Sequence, residues 1–234
     1  MSVNQSFAEQ LEVRWYSNGE QSLCCVLNHD DYASQIAVLC QSLAMRLRKL
    51  SSAGTDIIPC QDSITLVSAD EQTLLYLKQQ LELLLFQSSD DLSVDSRLHE
   101  IPICYDDRLD TDLTELAAKL GIDKAEIIER HHRVEYRVDM LGFLPGFFYL
   151  SGLDNTLKIA RKTTPAVKVP AGSVAIAEQM SGIYSLASPG GWWVVGQTPE
   201  ILFDIHTDPP VAISALDRIR FRPIEYVEYM ERKA

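Results

Sequence analysis

Between Val169 and Pro199 the chain reads VPAGSVAIAEQMSGIYSLASPGGWWVVGQTP, short apolar pieces divided at nearly every break by Pro, Gly or Ser. Such a stretch cannot run as a helix, because Pro removes a hydrogen-bond donor and Gly weakens every turn it enters. It can run as short strands joined by tight turns. The same texture extends from His132 to the end: VEYRVDM, GFFYL, KVPAGSVAIA, GIYSLA, WWVVG, ILFDI and RIRFRPI alternate with Gly, Pro, Asp and Ser breaks. That is the pattern of an all-β barrel or sandwich, and EYVEYMERKA reads as a short helix capping it.

The first half has a different period. Leu11–Tyr16 alternates as a half-buried strand, NGEQ turns the chain, and Ser22–Leu27 forms the next strand. From Tyr32 to Leu50, Ile36, Leu39, Cys40, Leu43 and Leu47 recur at helical spacing. DIIPC and SITLVS read as two strands around a tight turn at Gln61–Asp62. Ser68 with Glu71 forms a capping-box pattern opening a second helix through Phe86. SSDDLSVDSR is a polar loop, and HEIPICY returns as a strand. The order from Ser22 is βαββαβ with one strand in front, a split-βαβ, ferredoxin-like α+β arrangement. Two short helices follow, Thr111–Leu120 ending at Gly121 and a second capped by Asp123 with Glu126. They mimic a helix-turn-helix, but the would-be recognition helix is acidic, so they are read as a bridge. The expected division is 1–110 for the ferredoxin-like domain, 111–133 for the bridge and 134–234 for the barrel.

A formal net charge of -12 repels phosphate backbones, so nucleic acid is not expected as a partner, and no stretch approaches the ~18 apolar residues of a membrane span, so no membrane is expected either. The five cysteines sit among apolar neighbours with no C-x-x-C pair, the usage of a reducing cytoplasm. MSVNQSFAEQLEV has no basic region followed by an apolar run, so no signal peptide is expected. Phosphate-loop, dinucleotide, nucleophile-elbow and H-E-x-x-H motifs do not occur, and the five histidines lack metal-ligand spacing; no metal is expected. The Gly-Pro turns admit two readings, plain barrel corners or nests of main-chain amides that bind an anion. Lys158, Arg161, Lys162 and Lys168 form a local basic concentration in this acidic chain. Trp192 and Trp193 fall on opposite strand faces, so one is expected inside and the other available to a partner.

IPICY, YRVDMLGFLPGFFYLSGLD, VPAGSVAIA, SPGGWWVVGQTPEILFD and RIRFRPI, in this order, closely resemble the family of KipI and the 5-oxoprolinase B subunit, also called allophanate hydrolase subunit 1. The resemblance covers most of the chain and is strongest from about Ile101 to Asp204. It implies a ferredoxin-like domain followed by a cyclophilin-like β-barrel. It also implies a KipA-type partner, the C subunit of 5-oxoprolinase, and a third 5-oxoprolinase subunit, which together open 5-oxo-L-proline to L-glutamate. ATP is then used by the assembled complex, with no cofactor held in this chain and no activity of the chain alone. Related domains form the carboxyltransferase part of urea carboxylase. One family member inhibits a sporulation histidine kinase, so a non-catalytic regulatory protein with a kinase partner is the competing reading.

On this resemblance His131, Tyr149 and Arg161 are candidate catalytic residues. Gly142, Phe143, Pro145, Gly146, Phe147, Lys162, Lys168, Pro170, Ala171, Gly172, Ser173, Ser188, Pro189, Gly190, Gly191, Trp192 and Thr198 are candidates for binding substrate or partner. The chain departs from the family pattern at Glu178, Gln179, Met180, Ser181 and Ser185, and has Ala166 and Gln197 where Arg is usual. Neither can make the bidentate contacts of Arg to an oxyanion, which implies either retuned binding or a lost reaction.

Overall fold

In a computed structural model that describes residues 11–29, 33–87 and 96–233, the chain separates into two units, Met1–Val94 and Asp95–Ala234. The first unit has the strands β1 (Glu12–Ser17), β2 (Ser22–Asn28), β3 (Thr55–Pro59) and β4 (Ser63–Ser68), paired antiparallel in the order β1-β2-β4-β3. Period-two alternation sends Cys25, Leu27, Ile57, Ile64 and Leu66 to one face. There α1 (Ala33–Arg48) lays down Ile36, Leu39, Cys40, Leu43 and Leu47, and α2 (Glu71–Phe86) adds Leu74, Leu77, Leu81, Leu84 and Leu85. The residue that caps α2 is Asp70, whose carboxylate accepts the N–H groups of Gln72 and Thr73; Ser68 instead accepts from the Asp70 N–H. Most of the loop read at SSDDLSVDSR, and the start of the helix read from Tyr32, lie outside the described residues.

One element of the expected βαββαβ order is corrected. The strand β5 (Leu98–Ile103) does not join this sheet, and β1 occupies the place beside β2 that the last strand of a split-βαβ unit would take. Instead β5 lies parallel to β13 (Arg218–Pro223), with Leu98 opposite Arg218 and Ile103 opposite Pro223. The boundary therefore falls near residue 94 rather than 110, because a strand belongs to the sheet that takes up its hydrogen bonds.

In the second unit β6 (Glu135–Leu141), β7 (Phe148–Ser151), β9 (Ser173–Ala177), β10 (Met180–Ile183) and β12 (Trp193–Gln197) complete a seven-stranded mixed sheet with β5 and β13. Its order is β12-β9-β10-β7-β6-β13-β5. The sheet curls until its edges meet: Cys104, just past β5, exchanges two backbone hydrogen bonds of 2.8 and 2.9 Å with Gln197 at the end of β12. A bulge between Val194 and Gly196 bends β12 toward this seam. The result is consistent with a cyclophilin-like barrel, but it is not all-β. Two helices, α3 (Leu113–Leu120) and α4 (Lys124–His132), give Leu113, Leu116 and Ile127 to the same core as Val138, Phe148, Ile176, Trp193 and Phe221. They belong to this unit and are no free-standing bridge. The last helix, α5 (Tyr226–Lys233), packs Tyr229 against Cys104, Leu109 and Ile224. ILFDI forms no strand, and Ile201 and Ile205 are exposed. A small two-stranded sheet of β8 (Ala166–Val169) and β11 (Ser188–Gly190) completes the unit.

Gly196 lets the seam close, since a Cβ there would stand 2.7 Å from the Cys104 carbonyl oxygen and 2.9 Å from Ile103 Cγ1. Gly196→Ala is expected to destabilise the protein by about 1–3 kcal/mol, the usual cost of overpacking, as measured by urea denaturation. Unchanged stability would show that the seam tolerates separation.

Candidate functional site

The outer face of the curled sheet carries rings. Along β7, β10 and β12 the inward residues Phe148, Leu150, Ile183 and Trp193 fill the main core. Their neighbours Phe147, Tyr184 and Trp192 point outward into a second cluster with Val169, Ala175, Ala177 and Val194, against which Tyr149 packs. The tryptophans do face opposite ways, but both are buried, at 6% and 4% exposure, because each packs into an apolar cluster on its own face of the sheet. Phe147 is the hub, with edge-to-face contacts to Tyr149 at 4.8 Å, Tyr184 at 5.0 Å, Phe143 at 5.5 Å and Trp192 at 5.7 Å between centroids. Gly182 is required beneath them: a Cβ would reach 2.8 Å from Phe147 and 2.9 Å from Trp192.

This cluster opens into a cavity of about 240 Å³ lined by Phe143, Phe147, Tyr149, Arg161, Pro165, Tyr184, Pro189, Gly190, Gly191 and Trp192. The Arg161 guanidinium lies 5.9 Å from the Trp192 ring centroid, a cation at one end of an aromatic box. Phe143 is held at φ 66°, a conformation disfavoured for a bulky side chain, and the residue stays 61% exposed at the rim. The structure thus brings together Phe143, Phe147, Tyr149, Arg161, Pro189, Gly190, Gly191 and Trp192 from the sequence candidates.

His131 stands elsewhere. It has no exposed surface, stacks on Phe221 at 4.9 Å, and bonds Tyr105 Oη through Nδ1 at 2.8 Å and Ser181 Oγ through Nε2 at 3.0 Å. Ser181 in turn donates to the Ala175 carbonyl at 3.3 Å. A neutral imidazole satisfies the whole chain, with Tyr105 donating to Nδ1 and Nε2–H donating to Ser181. Burial, followed by the neighbouring His132, holds the His131 pKa down to about 3. As an acid–base catalyst it is corrected to a core residue, because nothing from solvent reaches it.

The amide-nest reading fails at VPAGSV. Gly172 N–H donates to the Tyr184 carbonyl at 2.7 Å, Ser173 N–H to Pro170 at 3.2 Å, and Thr198 N–H to Gly172 at 2.8 Å. Gly172 sits at φ 84°, where a Cβ would meet the Thr198 oxygen at 2.5 Å. Pro170, Gly172, Ser173 and Thr198 therefore tie the fold, and with Ala171 they do not line the cavity. Gly142, Pro145 and Gly146 shape the turn that presents Phe143, with Gly142 N–H donating to Phe147 at 3.2 Å and the Pro145 carbonyl accepting from Ser185 Oγ at 2.5 Å. Ser188 Oγ donates to the Pro189 carbonyl, Lys168 is exposed on β8, and Lys162 is paired with Asp112 at 2.6 Å. Among the described residues no group of three or more His, Cys, Asp or Glu could hold a metal, and no helix is long and apolar enough to cross a membrane.

Residues 13–213 match the family described as carboxyltransferase domain, subdomain C and D. The chain is 38% identical over 153 residues to the 5-oxoprolinase B subunit of Bacillus subtilis, covering 65% of this chain and 64% of that protein. It is 36% identical over 181 residues to the 5-oxoprolinase B subunit of Escherichia coli O157:H7, covering 77% and 83%. The crystal structure of TTHA0988 matches with a TM-score of 0.72 at 31% identity, over 88% of this chain and 40% of that one. The chain belongs to the 5-oxoprolinase B-subunit family.

The two positions where the resemblance implies arginine have clear surroundings. Gln197 is buried at the seam, where Nε2 donates to the Leu109 carbonyl at 2.8 Å and Oε1 accepts from Tyr229 Oη at 3.0 Å. Ala166 packs at the edge of the outer cluster, and neither residue lines the aromatic cavity. Ser181 serves His131, and Met180 packs against the outer cluster. Sequence reasoning missed Tyr184, although its alternation with Ile183 on β10 signals an outward ring. It also missed Asp112, whose carboxylate accepts from Lys162 and from the Val194 N–H at 2.7 Å, a long-range role that local pattern does not carry.

The buried imidazole makes stability depend on pH. Between pH 6.5 and about 3 the unfolded chain takes up a proton at His131 that the folded chain refuses, so stability falls as pH is lowered through that window. The slope from this group is at most about 1.4 kcal/mol per pH unit. NMR of the His131 ring should show the neutral form persisting well below pH 6.5; protonation near the usual value would contradict the buried placement.

Proposed function

We propose that this chain is the ring-binding component of a 5-oxoprolinase-type enzyme that opens 5-oxo-L-proline to L-glutamate at the expense of ATP. The observation that carries the reading is the aromatic cavity with one cation at its edge. A small lactam is flat and largely apolar on both faces, which suits Phe147, Tyr149 and Trp192, and its carboxylate suits the Arg161 fork. The volume of about 240 Å³ lies below the range of roughly 300–1,000 Å³ usual for drug-sized ligands. A nucleotide is too large for it, so ATP is bound by another part of the complex or beside this cavity.

A lactam is a poor electrophile. Transfer of the terminal phosphoryl group of ATP to its carbonyl oxygen, with loss of the ring N–H proton, gives ADP and an activated imidate. One water adds to that carbon and the ring C–N bond opens as the nitrogen is protonated, leaving an acyl phosphate. A second water hydrolyses this to glutamate and phosphate. In this scheme Arg161 fixes the substrate carboxylate and Tyr149 is the candidate donor toward the ring. The attacking water and the nucleotide are supplied with a KipA-type partner (the C subunit) and a third component, a reading supported by the naming of the relatives as one subunit among several. Phe143, and Val167 at 89% exposure on β8, offer that partner an apolar rim. The competing reading, a regulatory protein docking a histidine kinase, draws on the changes at 166 and 197, which lie away from the cavity.

Coexpression with the KipA-type partner and the third component should give ATP-dependent glutamate formation, absent from the chain alone. Arg161→Ala should lower kcat/KM about 10- to 100-fold, the worth of a hydrogen bond to a charged group, without loss of thermal stability. A well-folded complex without activity, or an Arg161→Ala variant with full activity, would overturn the reading.

A further inference from the structure

Beside the aromatic cavity lies a second depression of about 590 Å³, floored by Trp193 and walled by Glu115 and Lys119 of α3, residues 159–164 and Ala166. Its charge is opposite to that of the chain. From Leu157 to Val169 there are four cations and no acid, in a protein of net charge -12. The ammonium groups of Lys119 and Lys162 stand 5.4 and 5.2 Å from the Trp193 ring centroid. That ring is fixed, because its Nε1–H donates to the Ala160 carbonyl at 2.9 Å.

Lys162 is held by Asp112, whose second oxygen accepts the Val194 N–H; Asp112 is thus used by the protein and does not line the depression. The acid that does line it, Glu115, is an exposed partner of Lys119 at 3.7 Å, a contact of little strength. Arg161 has no acidic partner among the described residues and lines both hollows. Exposed Thr163 and Thr164 add two hydroxyls that make no hydrogen bond within the described protein.

The geometry points to a binding site for a phosphoryl group. The unpaired Arg161, the weakly paired Lys119 and two free hydroxyls, with the Asp112-held Lys162 beside them, offer more donors than a singly charged carboxylate can use and match the several acceptor oxygens of a phosphate. The proposal rests on the ring-binding reading for its purpose: with Arg161 shared, a phosphoryl group here sits next to a lactam in the aromatic cavity. The group arrives either as the terminal phosphate of a nucleotide or as the phosphate carried by the activated substrate.

The test is titration of the whole chain with inorganic phosphate at low salt, followed by the indole N–H resonances of Trp192 and Trp193. Saturable movement of Trp193 is expected, with Lys119→Glu weakening phosphate by at least about tenfold. Lys119 lies outside the aromatic cavity, so movement of Trp192 by 5-oxo-L-proline should survive this variant. A non-hydrolysable ATP analogue that binds over tenfold tighter than phosphate, and is equally sensitive to Lys119→Glu, assigns the site to the nucleotide; equal affinity assigns it to the activated substrate. Movement of Trp193 that chloride reproduces, or that Lys119→Glu leaves unchanged, overturns the proposal. Phosphate binding without any response to 5-oxo-L-proline instead sinks the ring-binding reading and leaves the phosphoryl site standing.

Discussion

Two hydrogen bonds between Cys104 and Gln197 join the ends of a seven-stranded sheet, and the second unit is organised around that meeting of edges. An open edge would leave unpaired amides and carbonyls on β5 and β12. Closure satisfies a pair of them and makes the sheet two-sided, with one apolar set inside and another outside. Gln197 then serves twice, its backbone pairing with Cys104 and its side chain binding Leu109 and Tyr229. A guanidinium in that buried place would need a counter-charge that the glutamine amide does not.

The two-sidedness accounts for the site. Adjacent residues where β7 begins and β10 ends, Phe147 and Phe148 or Ile183 and Tyr184, are sent to separate clusters. The inner cluster is closed by α3 and α4, while the outer is only partly covered, and the aromatic cavity opens where that cover ends. Arg161 and Lys162 stand on a segment bound to both the fold and the hollows. The Lys162 N–H donates to the Gly191 carbonyl at 2.8 Å, while its ammonium is held by Asp112. Positive charge is therefore fixed at this spot in an otherwise acidic molecule.

Much of this was legible in the residues. Helical spacing located α1 and α2, and the Gly-Pro punctuation marked the corners of the barrel. The alternation at Trp192 and Trp193 gave their opposite directions. Partnership between distant segments was not legible. HEIPICY reads as a strand in either sheet, because period-two alternation says nothing about which neighbour accepts its hydrogen bonds. ILFDI has strand propensity yet stays irregular, since tertiary context decides such short runs. His131 and the amides of Gly172 and Ser173 resembled functional groups until their internal partners were known. Burial and hydrogen-bond satisfaction are properties of the fold as a whole, and no local pattern near those residues encodes them.

The central claim is that a small acid binds on the outer face of the curled sheet, held by rings and one arginine. A crystal structure of the assembled complex with 5-oxo-L-proline tests it most directly. The account predicts the lactam ring against Trp192 and Tyr149 with its carboxylate on the Arg161 guanidinium. Ligand bound elsewhere, with Phe143 and Tyr149 folded together to fill the cavity, would contradict it.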